Sequence, residues 1–395
     1  MGLLDGVRVL DVSTLFAGPF LATMLGDHGA EVIKVEHPRG DESRNWGLSK
    51  DGVPLFWKVI SRNKENIAID LNKSEGQEIL KKLAKRADVL IENFRPSRME
   101  NWGIGWETLH KLNPELIMAR VTGFGQTGIY SNLAGFGTLA EAMSGFAYVT
   151  GSADGPPTLP SFGLADGIAG LSGAYAVASA LFKREKTHQG EMIDIALYEP
   201  LMWIVGGHIV EFDQLHVIQK RQGNRSPRVC PRNAYMTKDL KWVALSASAE
   251  SIAKRVFQAI GHPELLDDPR FESNKARLAN VEMVDRIIDE WMKEHTQEEA
   301  INILRKAEAA VAPVYDASQI YTDKHFRERG SIIKVNDDDL GEITMQGAFP
   351  QILSDPAKIK FTGKSKIGSD TEKIMLSLGY EQSEIDNFKS KKVIV

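Results

Sequence analysis

Asp166 is the residue of this chain best placed to do chemistry. It lies in Ser161 to Pro200, SFGLADGIAGLSGAYAVASALFKREKTHQGEMIDIALYEP, which reads as a helix paved with small residues and then a strand. Gly167, Gly170, Gly173 and Ala174 fall along one side of that helix, with Leu171, Tyr175, Val177 and Leu181 on others. Such a smooth flank suits close approach by another helix or by a ligand. A carboxylate at a helix start meets unpaired backbone N–H groups and the positive end of the helix dipole, which are expected to keep Asp166 ionised and fixed in direction. Those are the requirements of a carboxylate nucleophile. The competing reading is that Asp166 only caps the helix, since aspartate is a preferred capping residue.

Other chemistries find little support. The residues after the first predicted strand, Leu15-Phe16-Ala17-Gly18-Pro19-Phe20, do not spell a dinucleotide-binding glycine fingerprint, and no Walker lysine motif follows. Gly170-Leu171-Ser172-Gly173 lacks the glycine spacing of a nucleophile elbow. The nine histidines show no metal-ligand spacing, and the single cysteine, Cys230, excludes an internal disulfide and a thiolate metal cage. No metal is therefore expected, and catalysis falls on a carboxylate. The loop Glu92-Asn93-Phe94-Arg95-Pro96-Ser97-Arg98-Met99 combines two arginines, an amide and an aromatic. It suits either a phosphorylated, purine-bearing ligand or an ordinary solvated loop.

The elements needed to position these residues alternate. VRVLDVS, EVIKVE, NIAIDL, DVLIENF and ELIMARVTGFG read as strands, separated by helices that include AGPFLATMLGDHGA, the segment from Ser74, and Trp106 to Leu112. Ser74 and Gln77 have capping-box spacing, and Ile79, Leu80, Leu83, Ala84 and Ala87 form one apolar face. This pattern predicts an α/β fold with a doubly wound, mostly parallel sheet in a large domain. After about residue 225 the pattern becomes a hairpin turning near Lys238 to Lys241 and then amphipathic helices, a smaller α+β domain. The expected division is 1–224, 225–320, and a C-terminal segment 321–395. At 395 residues, 43% hydrophobic and with a net charge of −5, the composition points to a cytoplasmic protein with no general affinity for nucleic acid. Apolar stretches such as Leu201 to Val205 are too short to span a membrane, and MGLLDGVRVLDVS does not resemble a signal peptide.

Taken together, several segments resemble the class III coenzyme A transferase family, which also contains acyl-CoA racemases. They are VRVLDVSTLFAGPFLATMLGDHGAEVIKVEHPRGDESR, NKENIAIDLNKSEG, DVLIENFRP, VTGFGQTG, GLADGIAG with QGEMIDIALYEP, and GNRSP followed by PRNAYMTKD. The likeness continues through DDPRFESNKAR, HFRERG and SLGYEQSEI, so it spans nearly the whole chain in family order. It implies that Asp166 is the catalytic aspartate and that coenzyme A, as a thioester substrate rather than a tightly bound cofactor, lies near Phe16, Ala17, His37, Ile69 to Asn72, Asn93, Phe94, Arg95 and Asn101. His37 stands where an arginine is frequent in the family, and Asn72 and Asn101 where basic residues occur. The resemblance further implies a homodimer of two chains wound through each other like linked rings, a Rossmann-like large domain, and a C-terminal segment returning to it. Racemases of the family pair the aspartate with a histidine ahead of the segment read here as EAMSG, and Phe136 occupies that place. Phenylalanine exchanges no proton, so transfer of CoA to a carboxylic acid is favoured over racemisation, and the presence of Asp166 weighs against a purely CoA-ester-binding role. The glycine run of oxalate-specific members is missing around Gly223 to Arg232. A dicarboxylic acceptor such as succinate, malate or mesaconate is expected instead, its far carboxylate meeting Arg228 or Arg232 unless these are plain linker arginines. Glu141 is either an acid–base assistant or a structural hydrogen-bond partner.

Overall fold

A computed structural model describes the protein over residues 2–247 and 249–395. The chain folds into two compact units, the larger comprising 1–146, 159–209 and 324–395, the smaller 147–158 and 210–323. In the larger unit six strands form one sheet: β1 (Arg8–Asp11), β2 (Glu31–Glu36), β3 (Lys64–Ala68), β4 (Val89–Glu92), β5 (Ile117–Thr122) and β6 (Met192–Ala196). Their order is β3-β2-β1-β4-β5-β6 and every neighbouring pair is parallel. Strand order reverses between β1 and β4, and in such sheets ligands bind at the carboxyl ends beside that reversal.

The hydrophobic pattern explains why helices cover both faces. β4 and β5 are buried along their whole length, as strands covered on both sides must be. Alternate residues serve opposite cores. Val9, Val89, Ile91, Ile117 and Ala119 pack with helices α1 (Ala17–Asp27) and α4 (Leu164–Thr187). Leu10, Leu90 and Met118 pack with α2 (Ser74–Ala84) and with Ile374, Met375 and Ile385 of the C-terminal segment. The predicted apolar face of α2 is buried throughout. Its capping box does not form: the helix begins at Ser74, so Lys73 takes the cap position, and the Gln77 amide donates instead to Leu71 O at 3.1 Å. Between α2 and α4 lies a short helix, α3 (Gly137–Met143).

The small-residue flank of α4 faces a helix. A Cβ on Gly170 would lie 2.9 Å from Ala17 O, and one on Gly173 would overlap Leu21 and come within 2.9 Å of Ile195 Cδ1. Gly167 has no neighbour within 4 Å of such a Cβ. α4 has 24 residues, and an 18-residue window within it has a mean hydropathy of 1.3, which corrects the expectation that no stretch approaches membrane-spanning length. Small residues give it that length of apolar character, and its buried face is spent on α1 and the sheet.

In the smaller unit β7 (Arg232–Met236) and β8 (Trp242–Ser246) form the predicted hairpin, and β9 (Val311–Pro313) pairs antiparallel with β8. Helices Glu250–Ala259, Val281–Glu294 and Gln297–Lys306 bury Val256, Phe257, Val284, Ile288 and Leu304 against that sheet. Its chain begins earlier than residue 225. The Arg221 guanidinium donates to Tyr148 O (2.8 Å) and Gly155 O (3.1 Å), and Gly223 N to Gly151 O (2.8 Å), which ties 147–158 to the run before the hairpin. These pairings join segments about seventy positions apart, a link that composition does not reveal. Residues 324–395 belong to the larger unit, where Asp370 N donates to Asn66 O and Asp70 N to Val393 O, at 2.9 and 2.8 Å.

The contact between α1 and α4 tolerates no added volume at Gly173. Gly173→Val is expected to destabilise the protein by about 1–3 kcal/mol through overpacking, read as a lower urea midpoint, whereas Gly167→Ala leaves the midpoint within about 0.5 kcal/mol of the parent.

Candidate active site

Asp166 is the third residue of α4, whose cap residue Gly163 has no side chain to offer. The amides of Leu164 and Ala165 donate to Glu141 Oε1, at 3.1 and 3.2 Å, with Leu164 N also reaching Phe162 O at 2.8 Å. Glu141 projects from α3, is 2% exposed, and so supplies the acceptor that a helix start requires. The Asp166 carboxyl, which accepts its own N–H, is not needed for those two amides. Glu141 also places a second carboxylate beside the first.

The consequence for ionisation reverses the expectation from helix position. Burial, and after it the charge of Glu141, push the Asp166 carboxyl up to about 6. Desolvation and a like charge outweigh the favourable helix end. Two glycines make room for this carboxyl. A Cβ on Gly137 would overlap Asp166 Oδ2, and one on Gly163 would lie 2.7 Å from Phe16 Cδ1 and 3.4 Å from Asp166 Oδ2.

Asp166 opens into a cavity of about 940 Å³ walled by Phe16, Phe20, Trp46, Phe56, Phe136 and Phe162. The Phe16 ring lies 5.5 Å from Phe20 and 5.9 Å from Phe56, and Trp46 is 5.9 Å from Phe56. Glu141 and Asp166 are the ionisable groups among the lining residues, with no lysine, arginine or histidine there. A carboxylate facing apolar walls is poorly solvated and correspondingly reactive toward an electrophilic carbonyl.

A second group of predicted residues gathers at the carboxyl ends of β2, β3 and β4. His37 Nε2 lies 3.7 Å from Asp70, whose Oδ1 accepts from Asn72 Nδ2 at 3.0 Å. Asn72 Oδ1 in turn accepts from Arg98 at 3.2 Å, and the Arg98 guanidinium sits 4.5 Å from the Trp102 ring, which meets Phe94 edge-on at 5.2 Å. Burial, and then the Arg39 charge, hold His37 below the ordinary histidine range. It therefore faces neutral solution uncharged, with Nδ1 accepting the Arg39 N–H at 3.0 Å.

The remaining predicted residues divide by what they touch. Arg95 and Asn101 are exposed. Ala17 and Ile69 are buried in the core, at 3% and 1% exposure, so the Ile69 side chain is unavailable to a ligand. The Asn93 amide spends both atoms on Thr14, accepting its N–H at 2.8 Å and donating to its carbonyl at 2.7 Å. It orders the loop rather than facing outward. Arg228 and Arg232 belong to the smaller unit and are exposed; Arg232 donates to Asn224 O and Arg225 O at 3.0 Å, and Arg228 stands 3.6 Å from Glu211. Sequence reasoning singled out Arg98 within its loop but missed Gly137, Trp102 and Arg120. Arg120 grips Glu92 (2.6 Å) and Glu100 (2.8 Å), and Glu92 accepts the Phe94 N–H at 2.7 Å. The arginine and aromatic of RPSRMENW were a visible signal; the role of Gly137 depends on a contact 29 positions away and was not.

The chain that forms this parallel sheet and carboxyl-bearing cavity is similar to known proteins. The pattern of CoA-transferase family III fits residues 4–371. The chain is 41% identical over 394 residues to the succinyl-CoA–D-citramalate CoA-transferase of Chloroflexus aurantiacus, covering 99% of this chain and 98% of that protein. It is 38% identical over 397 residues to the succinyl-CoA–L-malate CoA-transferase beta subunit of the same organism, covering 99% and 98%. Among solved structures, a CAIB/BAIF family protein from Brucella suis superposes with a TM-score of 0.84 at 28% identity, covering 95% of this chain and 99% of that one. The chain belongs to CoA-transferase family III, and it is an enzyme of that class.

A carboxyl that titrates at about 6 when folded and about 4 when unfolded binds its proton more tightly in the folded state. Its contribution to stability is complete below about pH 4 and is lost as pH rises through about 6, leaving the neutral-pH protein less stable by on the order of 2–3 kcal/mol than one without the charge. Asp166→Asn is accordingly expected to raise the urea midpoint at pH 8 and to leave it nearly unchanged at pH 4.

Proposed function

We propose that this protein transfers CoA from a dicarboxylic acyl-CoA such as succinyl-CoA to a second dicarboxylic acid, with Asp166 as the nucleophile. The observation that carries the reading is the carboxyl of Asp166, half-buried at an aromatic cavity beside Glu141, which takes the amides of Leu164 and Ala165. The names of the relatives, which pair succinyl-CoA with citramalate or malate, support the substrate class.

The steps balance without metal, redox change or net proton transfer. Asp166 Oδ attacks the thioester carbonyl and expels the CoA thiolate, giving an acyl–aspartyl anhydride. The thiolate attacks the aspartyl carbonyl and expels the donor acid, leaving an aspartyl-CoA thioester. The acceptor carboxylate attacks that thioester, the thiolate leaves, and its attack on the new acyl carbonyl restores Asp166 and releases the product. Phe136 stands where a proton-exchanging histidine would be needed for racemisation.

In this reading the His37, Asn72, Phe94, Arg95 and Arg98 surface receives the nucleotide end of CoA, with Arg98 and Arg95 as cations for phosphate and Trp102 or Phe94 for stacking. Arg228, exposed and loosely paired, is the better candidate for the far carboxylate of the acceptor, because Arg232 is committed to backbone carbonyls. The enzyme is further proposed to work as an interlocked homodimer in the cytoplasm, without nucleic-acid or membrane partners. The exposure of Trp203 (83%), Tyr175 (77%) and Phe182 (67%) favours coverage by a second copy.

Mass spectrometry of the protein incubated with succinyl-CoA and quenched with hydroxylamine tests the mechanism. A hydroxamate at Asp166, absent in Asp166→Ala, is the expected result; no adduct from any of a panel of acyl-CoA esters would sink it. In steady-state assays Arg228→Leu is expected to raise the KM for a dicarboxylic acceptor by about tenfold, as loss of one charge-assisted contact implies, with little change for a monocarboxylic acceptor.

A further inference from the structure

The turn between β1 and α1 forms part of the wall around Asp166, and its backbone is held at every residue from Ser13 to Leu15. Ser13 N donates to Asp11 Oδ1 at 3.2 Å, and the Ser13 carbonyl accepts from the Lys34 ammonium. Thr14 is gripped on both sides by Asn93. Leu15 N donates to Asp41 Oδ1 at 3.2 Å. Leu15 itself has φ +68°, a left-handed conformation that a side-chain-bearing residue other than asparagine or aspartate adopts only under constraint. Phe16, the next residue, lays its ring against Gly163, on the side of Gly163 that Asp166 Oδ2 also approaches, and lines the same cavity as Asp166.

The constraint comes from buried charge. Lys34 Nζ lies 3.2 Å from Asp41 and 3.9 Å from Asp11, and Lys64 Nζ lies 2.9 Å from Asp11 Oδ2. Arg44 closes the group on Glu36 at 2.7 Å, and Glu36 accepts the Asp41 N–H at 3.2 Å. Asp11, Glu36 and Asp41 thus balance Lys34, Lys64 and Arg44, all of them buried or nearly so. Against the upward push of burial, the Lys34 charge holds the Asp41 carboxyl below its ordinary range, so the acceptor for Leu15 N–H stays ionised. Replacing a buried ion pair with apolar groups is commonly neutral for folding. Burying charges under a strained turn therefore needs an explanation other than stability.

We propose that Lys34 and Asp41 are positioning residues for the acyl-transfer step: their buried pair sets the left-handed turn at Leu15 and thereby the placement of Phe16 beside Asp166. The proposal rests on Asp166 as the nucleophile. Neither residue touches the reacting atoms; both act through the turn.

The test is the double variant Lys34→Met/Asp41→Leu, which removes the pair without leaving either charge alone. It is expected to keep a cooperative urea transition while the single-turnover rate of Asp166 acylation by succinyl-CoA falls on the order of 10- to 100-fold, the scale of a misplaced active-site wall. Adding Leu15→Gly, which takes the left-handed conformation freely, should recover part of that loss. A double variant that acylates at the parent rate, or whose loss Leu15→Gly does not touch, would overturn the proposal. The titration of the 13C-labelled Asp166 carboxyl supplies a readout that needs no turnover. It should move toward the ordinary carboxylate range in the double variant as Phe16 withdraws and water enters, and an unmoved titration also overturns the proposal. If the parent protein itself forms no adduct, the transferase reading fails on that result, and the titration still decides the positioning role. Should the double variant not fold, Asp41→Asn, which keeps an acceptor for Leu15 but removes the charge facing Lys34, carries both readouts, with a smaller slowing and a smaller shift in the same directions.

Discussion

Everything around the candidate nucleophile depends on the Glu141 carboxylate closing the start of the Leu164–Thr187 helix. A helix beginning at glycine leaves its first amides unsatisfied, and within a packed unit those donors must be met. Glu141 meets two of them from a different helix, which locks the two elements together at the point where Asp166 emerges. The same contact brings two carboxylates close in an apolar setting and sets the ionisation of Asp166. Capping, packing and reactivity are here one interaction.

That arrangement demands space as well as charge. Gly137 and Gly163 stand on either side of Asp166, and a methyl group at either would displace the carboxyl or the Phe16 ring. Farther along the helix, Gly170 and Gly173 let it settle against the helix that follows the first strand. The small residues therefore divide between two tasks. One pair opens the site, and the other fixes the depth at which the helix sits on the sheet.

Around the switch point the loops are held by polar groups, most of them buried, as well as by apolar packing. Lys34, Asp41 and Asn93 fix the turn after the first strand, while Arg120, Glu92 and Glu100 fix the loop that carries Phe94 and Arg98. Buried charges stabilise little in net terms but impose direction, since each hydrogen bond is satisfied in one geometry. If this surface receives the coenzyme as proposed, that property keeps its side chains in order.

The sequence by itself determined the order of strands and helices, the hydrophobic faces, the change of pattern into a hairpin and helices, and Asp166 as the residue to watch. Each of these follows from local periodicity or from a motif whose residues are neighbours in the chain. Resemblance over nearly the whole chain then named the family. Tertiary structure alone decided that Glu141 caps the helix of Asp166, that Asn93 serves Thr14, that Ile69 is core, and that residues 147–158 join the smaller unit. It also turned the expected pull of a helix start on Asp166 into the opposite shift, because burial and a neighbouring carboxylate arise from segments far apart in sequence. Desolvation, like-charge proximity and steric clearance are properties of the space between elements, and a linear pattern records each element without that space.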